Sequence, residues 1–484
     1  MEHDTLPASR KIREHLADRL SQAVARELRP AAETDVEWVP ASPLPDSPLP
    51  DDVTGEVDGQ EPSPEDRVAH APEDEASAAA MPADTQGEQP QTAMVDALME
   101  DAVAARATDV HFDPHGHRYR VRFRVDGAVL DVAELEEGPG RKLLNQIRVL
   151  SGIDPVSAQQ IRTGRFSYQL ENDSELDLRV TDAPCLAGYK VAMRLLTPPR
   201  AESDIADLGM EGDALQCVRD WLNTVGGMLL VAGPTGSGKT TTAYALLNQL
   251  KLFDRHVVTL EDPVEYEIAG INQMSVNVAR GLGFEEGAKG MMRLDPDYLL
   301  IGELRGTDSA HAAINVAGAG RALMSTLHSR DAVGAVTMLR NFGLDNFEIA
   351  SNLEVVIAQR LVRRLCPECR TQGEPDGDDE HWLATLDLPR PDKVWKARGC
   401  HACNDLGFHG RVGVFEVWRL ADEDYELILG NGSTRAIRRA LAERGHAFLL
   451  DDALQKAEQG VTSLTELRNM DVLGTHSARR NARS

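Results

Sequence analysis

The sequence contains no long apolar segment. No run approaches the roughly 20 apolar residues that a membrane-spanning helix requires, and the first residues lack the apolar core of a signal peptide. Both absences predict a cytoplasmic protein that meets a membrane only through a partner or a surface. At 484 residues, the chain is expected to form more than one domain, because single hydrophobic cores rarely grow past about 250–300 residues.

Cysteine and basic residues are also scarce. Six cysteines in a chain of this length do not suggest a disulfide scaffold. Asp and Glu outnumber Lys and Arg by 78 to 51, which gives a net charge of −27, and residues 1–90 alone carry 21 acidic and seven basic side chains. Because an acidic surface repels phosphate, no direct contact with nucleic acid is expected outside a local basic channel.

The first 39 residues predict one amphipathic helix, since an apolar residue recurs at every fourth position until Pro30. The apolar stripe consists of Ile12, Leu16, Leu20, Val24 and Leu28. Two interpretations stay open: a helix that docks on its own protein, and a helix that binds a docking protein. Residues 40–91 contain ten prolines and few large apolar side chains, and they predict a disordered acidic tether.

Residues 92–200 predict a small α+β domain with helices at 94–103 and 141–150. Alternating apolar and polar residues predict half-buried strands in the same segment. These strands are 119–125, 176–180 and 191–196.

From about residue 208 to 365, apolar runs alternate with helix-forming stretches. This pattern predicts an α/β domain with a mostly parallel sheet between helices. The expected strands are 228–232, 256–261, 298–302 and 322–327.

The most informative segment follows the first of these strands, where residues 233–240 read G-P-T-G-S-G-K-T. Backbone N–H groups in such a loop and at the following helix N-terminus point at phosphates. Lys239 is expected to reach the β and γ phosphates of ATP, and the Thr240 hydroxyl to ligate Mg²⁺. The predicted nucleotide-binding residues are Gly233, Pro234, Thr235, Gly236, Ser237, Gly238, Lys239, Thr240, Thr241 and Asp262.

Polar side chains follow three neighbouring strands at the point where each strand ends. Ligands bind at the carboxyl ends of strands in open α/β sheets, so these groups are expected to face the phosphates. Glu303 and Glu261 are the candidates for polarising the attacking water, and His328 is the candidate for sensing the γ-phosphate or product. The alternatives are a solvated strand end or helix cap for the glutamates and a core or rim position for His328.

Together these motifs resemble the type II secretion and type IV pilus assembly ATPases, the general secretion pathway protein E family, over about residues 92–475. The matching segments are the phosphate loop, E-D-P-V-E-Y at 261–266, D-P-D through G-E at 295–303, S-T-L-H at 325–328 and A-Q-R-L-V-R at 358–363. The resemblance implies a RecA-like core, ATP hydrolysis and a homo-hexamer that acts at a polytopic inner-membrane platform protein.

The resemblance also implies that the preceding domain supplies arginines to the nucleotide. The matching positions are Arg122, Arg124, Arg165, Arg179 and Arg194, of which Arg122, Arg124 and Arg194 are the predicted charge-stabilising residues. Without the resemblance, alternating arginines favour the solvated face of a strand. Arg321 stands where the family has histidine and Gly306 where it has an acid, so the substrate system and the effect on turnover stay open.

Two CxxC pairs are separated by thirty residues. Four thiolates in two such knuckles suit a closed, tetrahedral structural zinc site, and the alternative is two unrelated pairs or a redox site. The predicted zinc ligands are Cys366, Cys369, Cys400 and Cys403. The segment G-F-H-G-R-V-G follows at 407–413, and by resemblance this insert favours an assembly motor over a retraction motor.

The sequence thus predicts a cytoplasmic motor ATPase, held at the inner membrane through partners, that powers pilin or pseudopilin assembly. Two other hypotheses stay open: a DNA-uptake or nucleic-acid-translocating ATPase, and a degenerate nucleotide-binding regulatory subunit. The predicted domains are an N-terminal helix at 1–39, a linker at 40–91, an α+β domain at 92–200, an ATPase domain at 201–475 with a zinc insert at 366–403, and a tail at 476–484.

Overall fold

A computed structural model describes residues 10–27, 93–155, 160–170, 175–196, 204–224, 226–251 and 255–470. The predicted linker at 40–91 and the tail at 476–484 lie outside these residues, as do Leu28 and Pro30. No helix in the described ranges is long and apolar enough to cross a membrane.

The first domain is a six-stranded antiparallel sheet with helices on one face. Its strands lie side by side in the order β3-β2-β1-β6-β5-β4. The elements are α1 (Arg10–Glu27), α2 (Ala93–Ala104), β1 (Ala107–His115), β2 (Arg118–Val125), β3 (Ala128–Glu136), α3 (Glu137–Leu150), β4 (Arg162–Gln169), β5 (Glu175–Cys185) and β6 (Gly188–Leu196).

The N-terminal helix joins the core of this domain. Leu16 and Leu20 are fully buried in the same hydrophobic cluster as Met94 and Leu98 of α2. Arg19 donates a hydrogen bond to Asp101 on α2 at 2.7 Å, and α1 also packs against β3. The structure therefore agrees with the first interpretation, in which the helix docks on its own protein. A docking protein bound by this helix remains a prediction.

The second domain begins after residue 204 and contains the remaining elements. Its first half consists of α4 (Gly212–Trp221), β7 (Gly227–Ala232), α5 (Lys239–Lys251), β8 (Val257–Glu261), β9 (Asn272–Ser275), α6 (Phe284–Met292), β10 (Tyr298–Leu304), α7 (Thr307–Gly318) and β11 (Ala322–Leu327). Its second half consists of α8 (Ala332–Asn341), α9 (Asn346–Asn352), β12 (Leu353–Leu365), β13 (Thr371–Gly373), α10 (Gly377–Thr385), β14 (Val394–Lys396), β15 (Phe408–Arg419), α11 (Asp422–Leu429), α12 (Thr434–Glu443), α13 (Leu449–Glu458) and α14 (Leu464–Asn469).

The sheet of the second domain has the order β15-β12-β7-β11-β10-β8-β9. The strands from β12 to β9 are parallel, and β15 pairs antiparallel with β12 at the edge. Separate hydrophobic clusters cover the two faces, which is why the central strands read as continuous apolar runs. The predicted α/β fold with its mostly parallel sheet is confirmed. β12 and β15 were not among the strands predicted from the sequence.

Candidate functional site

A cleft of about 700 Å³ lies at the carboxyl edge of the parallel sheet, where the first domain meets the second. The phosphate loop forms one wall, because β7 ends at Ala232 and α5 begins at Lys239. Gly236 and Gly238 have φ angles of 77° and 86°, a left-handed conformation that side chains other than glycine rarely adopt. A Cβ at Gly233 would lie 2.4 Å from Ser237 Oγ. Glycine at these positions is therefore required by the loop geometry.

The loop is fixed by strands that are distant in the sequence. The Gly233 N–H donates to the Leu327 carbonyl at the end of β11, at 3.1 Å. The Gln359 amide on β12 donates to the Ser237 carbonyl at 2.6 Å. Both contacts fix the position of the loop beside the cleft, as a preorganised phosphate site requires. Gln359 was quoted in a motif of the sequence but was not predicted as part of the site.

Lys239 turns back over the loop that it follows. Its Nζ donates to the carbonyls of Gly233 at 3.0 Å and Pro234 at 3.2 Å, and it faces His328 Nδ1 at 3.5 Å. Burial lowers the pKa of Lys239, and Arg360 lowers it further, whereas Glu303 acts in the opposite direction. A partly desolvated ammonium group at this place is suited to binding phosphate oxygens, since its charge is weakly screened.

Three of the predicted polar groups meet across the cleft. His328 Nε2 lies 2.5 Å from Glu303 Oε1, so the ends of β10 and β11 are joined. Arg305 bridges two acids, because its Nε donates to Glu303 at 2.9 Å and its Nη1 to Asp262 at 2.8 Å. Glu303 thus faces the cleft between a histidine and an arginine, where a carboxylate can orient a water next to a phosphate.

Glu261 lines the same cleft but is only 4 % exposed. Its carboxylate accepts hydrogen bonds from the Tyr244 hydroxyl, from Thr259 Oγ1 at 2.7 Å and from Gln273 Nε2 at 3.3 Å. Burial and the bond to Glu261 raise the pKa of Tyr244. Three protein donors occupy Glu261, so this geometry favours Glu303 as the residue that orients water. A direct role for Glu261 in polarising water remains a prediction.

The first domain contributes a second wall. Arg194 and Thr108 line the cleft, and Arg194 pairs with Asp109 at 3.2 Å. Arg122 pairs with Asp113 at 2.5 Å, whereas Arg124 donates to the Gly127 carbonyl at 3.0 Å.

Among the described residues that line this cleft, Arg122 and Arg124 do not occur. Their predicted role at the nucleotide stays a prediction. The structure brings only Arg194 of the three to the cleft of its own chain.

Two further arginines line the cleft that the sequence analysis did not select, Arg305 after β10 and Arg411 on β15. Arg411 lies within the 407–413 segment and Arg305 lies two residues beyond the 295–303 segment. Local spacing did not distinguish either arginine from residues with packing roles. A contact between the domains lies close by, where Arg179 Nη2 meets Glu265 of the acidic segment at 3.1 Å.

The family departures have clear structural positions. Arg321 donates to the Pro296 carbonyl at 2.9 Å and to Asp295 at 3.1 Å. It precedes β11, at the opposite end of that strand from His328. Gly306 directly precedes α7, and its N–H donates to Ser309 Oγ at 3.3 Å. Because it precedes β11, Arg321 lies away from the carboxyl edge of the sheet, where the cleft is.

The four predicted zinc ligands form one cluster beside β12 and β15. Their sulfur atoms all lie within 4.8 Å of one another, and the Cys366–Cys400, Cys369–Cys403 and Cys400–Cys403 pairs are 3.9, 3.8 and 3.8 Å apart. A tetrahedral site with Zn–S bonds of about 2.3 Å has sulfur atoms about 3.8 Å apart, so the cluster fits the ion.

Backbone groups complete this cluster. The N–H groups of Gly407 and Cys400 each point at Cys403 Sγ at 3.2 Å, as donors to a thiolate do. Burial raises the pKa of the Cys369 thiol, and a cation bound to the cluster would favour its thiolate form.

The fold and the cleft define a P-loop NTPase of the RecA-like class. Residues 84–469 match the family model for Type II/IV secretion system proteins. The chain is 35% identical over 383 residues to the type IV pilus assembly ATPase PilB of Myxococcus xanthus, covering 78% of this chain and 67% of that protein. It is 35% identical over 374 residues to the type II secretion system ATPase E of Vibrio cholerae, covering 77% and 74%.

Among solved structures, the ATPase DotB of Legionella pneumophila superposes with a TM-score of 0.57 at 19% identity, covering 78% of this chain and 94% of that one. This likeness supports the fold alone. The chain belongs to the type II/IV secretion system protein family, and the secretion ATPase predicted from the sequence is confirmed. The matched region spans about two thirds of the length of the pilus assembly ATPases of Myxococcus xanthus and Acinetobacter baylyi.

Proposed function

We propose that this chain is the motor ATPase that powers assembly of pilins or pseudopilins at a polytopic inner-membrane platform protein. The observation that carries the proposal is the convergence of Lys239, Glu303 and His328 in one cleft beside the phosphate loop. Relatives named as pilus assembly and type II secretion ATPases support assembly or secretion as the process that hydrolysis powers. In this proposal the protein is cytoplasmic and reaches the membrane through its partners.

The residues divide the work of phosphoryl transfer between them. The phosphate loop and Lys239 hold the phosphates of ATP, and Glu303 orients the attacking water. Thr240 would hold Mg²⁺, which would supply positive charge to the phosphates when bound. Arg194 of the first domain and Arg305 of the second supply positive charge to the cleft, and such charge stabilises the transition state.

A homo-hexamer is part of the proposal. Arg122 and Arg124 lie on β2, outside the cleft of their own chain. In a ring of copies, these two arginines would reach the nucleotide bound by a neighbouring copy. The four cysteines would hold a zinc ion, which would stabilise the insert between β12 and β15 when bound.

The test is Lys239→Ala in the purified protein, with Lys289→Ala as the matched control. Lys289 is an exposed lysine on α6 that pairs with Glu285. We expect Lys239→Ala to abolish phosphate release while its circular dichroism and thermal unfolding stay unchanged, and the control to keep full turnover. Normal turnover in Lys239→Ala would overturn the proposal.

Two measurements on the unmodified protein separate the other hypotheses. ATP binding without detectable hydrolysis would favour a regulatory subunit. ATP hydrolysis that is stimulated by DNA would favour a nucleic-acid-translocating ATPase.

A further inference from the structure

Among the described residues, one edge of the ATPase sheet carries backbone groups that no neighbouring strand satisfies. β15 is the edge strand, and its partner on the inner side is β12. The Leu420 N–H donates to the Glu354 carbonyl, which directly follows the start of β12, at 2.9 Å. The Phe415 N–H donates instead to Asp452 on α13, at 2.7 Å. Successive backbone N–H groups of a strand point to opposite sides, so those of Val417 and Arg419 point away from β12.

Val417 and Arg419 line a groove of about 790 Å³ that runs along β15. The start of α4, the start of α13 and the segment at 445–447 form its walls. Phe415 and Met210, at 4% and 1% exposed, lie beneath the floor of the groove, where half-buried Val417 is the accessible apolar side chain and Arg419 is exposed. A groove beside a free strand edge is the geometry into which an extended peptide adds as a further strand.

The charge of the groove selects a basic peptide. Four acidic side chains and one arginine lie around it, together with His446. The acids are Glu211, Asp213, Asp451 and Asp452. Lys456 pairs with Asp452 and partly neutralises its charge. Burial, together with the nearby charge of Glu211, raises the pKa of Asp452. The groove therefore attracts a segment that carries several positive charges.

The chain's own C-terminal segment has this chemistry. Residues 471–484 read D-V-L-G-T-H-S-A-R-R-N-A-R-S, with three arginines and one acidic residue in a chain whose net charge is −27. The segment begins after Met470, directly beyond α14, and α14 packs against α13. Fourteen extended residues span about 46 Å, whereas α13, at ten residues, is about 15 Å long, so the groove lies within reach.

We propose that residues 471–484 bind in this groove by adding to β15, with the outward N–H and C=O groups of Val417 and Arg419 as partners. The apolar Val472 and Leu473 would meet Val417 on the floor, and the arginines would meet the acidic walls. β12 separates this surface of β15 from β7, the strand that precedes the phosphate loop. The binding of residues 471–484 therefore does not depend on the proposed ATPase function.

Hydrogen exchange in the full chain tests the pairing directly. We expect slow exchange at the Val417 and Arg419 amides, and an increase of at least tenfold when residues 471–484 are deleted. The Glu416 and Trp418 amides point toward β12 and serve as internal controls, so their exchange should not change. Fast exchange at Val417 and Arg419 in the full chain would overturn the proposal, and so would protection that persists after the deletion.

A peptide experiment tests the charge argument. A labelled peptide of residues 471–484 should bind the shortened chain, and its anisotropy signal should be lost when all three arginines are replaced by alanine. The double variant Glu211→Lys, Asp213→Lys should weaken binding at least tenfold. The matched control, Glu285→Lys with Glu286→Lys, reverses two acids in the first turn of α6 and should bind normally. Equal affinity for both double variants would refute the groove as the site.

Discussion

His328 Nε2 lies 2.5 Å from Glu303 Oε1, which joins the ends of two neighbouring parallel strands in front of the phosphate loop. The second ring nitrogen of His328 faces Lys239 Nζ at 3.5 Å. A continuous polar chain thus runs from the loop lysine to the acid that faces the cleft. Any group that displaces Lys239 from the loop carbonyls changes the surroundings of Glu303 through a single imidazole ring.

Replacement of Glu303 by glutamine should separate binding from hydrolysis. The amide keeps the size of the side chain but cannot accept a proton, so turnover is expected to fall about 10²–10³-fold while ATP affinity stays within a few-fold. Phosphate release and nucleotide titration measure the two quantities. Glu267→Gln, an exposed acid of the loop after β8, is the control and should keep normal turnover. Turnover of Glu303→Gln within twofold of the unmodified protein would contradict the assignment.

Replacement of Cys369 by serine should remove zinc and weaken the insert. Structural zinc contributes directly to folding free energy, so we expect one zinc ion per unmodified chain and an apparent Tm lower by about 5–10 °C in the variant. Elemental analysis and thermal unfolding provide the measurements. Cys185→Ser, which changes an exposed cysteine of the first domain, should keep both zinc and Tm. A metal-free unmodified protein with full stability would show that the cluster has another role.

The ion pairs of Asp113 make the stability of the first domain depend on pH. Burial alone would raise the pKa of Asp113, but hydrogen bonds from Lys190 and Arg122 outweigh it and hold the pKa below 3.8. A lowered carboxyl pKa stabilises the fold above the unfolded-state pKa, and this contribution is lost as the pH falls through the folded-state value.

Asp113→Asn should therefore lower the unfolding free energy by about 1 kcal/mol at pH 7. The difference from the unmodified protein should shrink as the pH falls below 3.8. Urea unfolding at a series of pH values measures it. A constant difference between pH 7 and pH 3 would contradict the ion-pair explanation.

Truncation of Leu20 tests whether α1 is part of the first domain. Leu20 is 1% exposed, and loss of a buried leucine side chain costs about 2–4 kcal/mol. Leu20→Ala should therefore lower the Tm of the full chain, whereas Ser21→Ala, an exposed neighbour on the same helix, should change stability by less than about 0.5 kcal/mol. If the two variants were equally stable, the apolar stripe of α1 would not be part of the core. It would then be better explained as a binding surface for a docking protein.

The sequence by itself determined the central strands and the chemistry at their ends. β7, β8, β10 and β11 are buried on both faces, so each reads as a continuous apolar run. The loop from Gly233 to Lys239 and the two CxxC pairs are recognised by the spacing of residues that are close in the sequence. They can therefore be identified without knowledge of distant contacts. β12 escaped recognition because polar side chains such as Gln359, Arg360 and Arg363 interrupt its apolar pattern.

Only the tertiary structure distinguished the two strand-end glutamates. Glu261 and Glu303 follow similar apolar runs, yet Tyr244 from α5 and Gln273 from β9 converge on Glu261 alone. The structure likewise placed Arg194 in the cleft with Arg122 and Arg124 outside it, although all three alternate along strands in the same way. The physical reason is the same in each case: periodicity fixes which face of an element a side chain occupies, but its partner on another element depends on how the elements pack together.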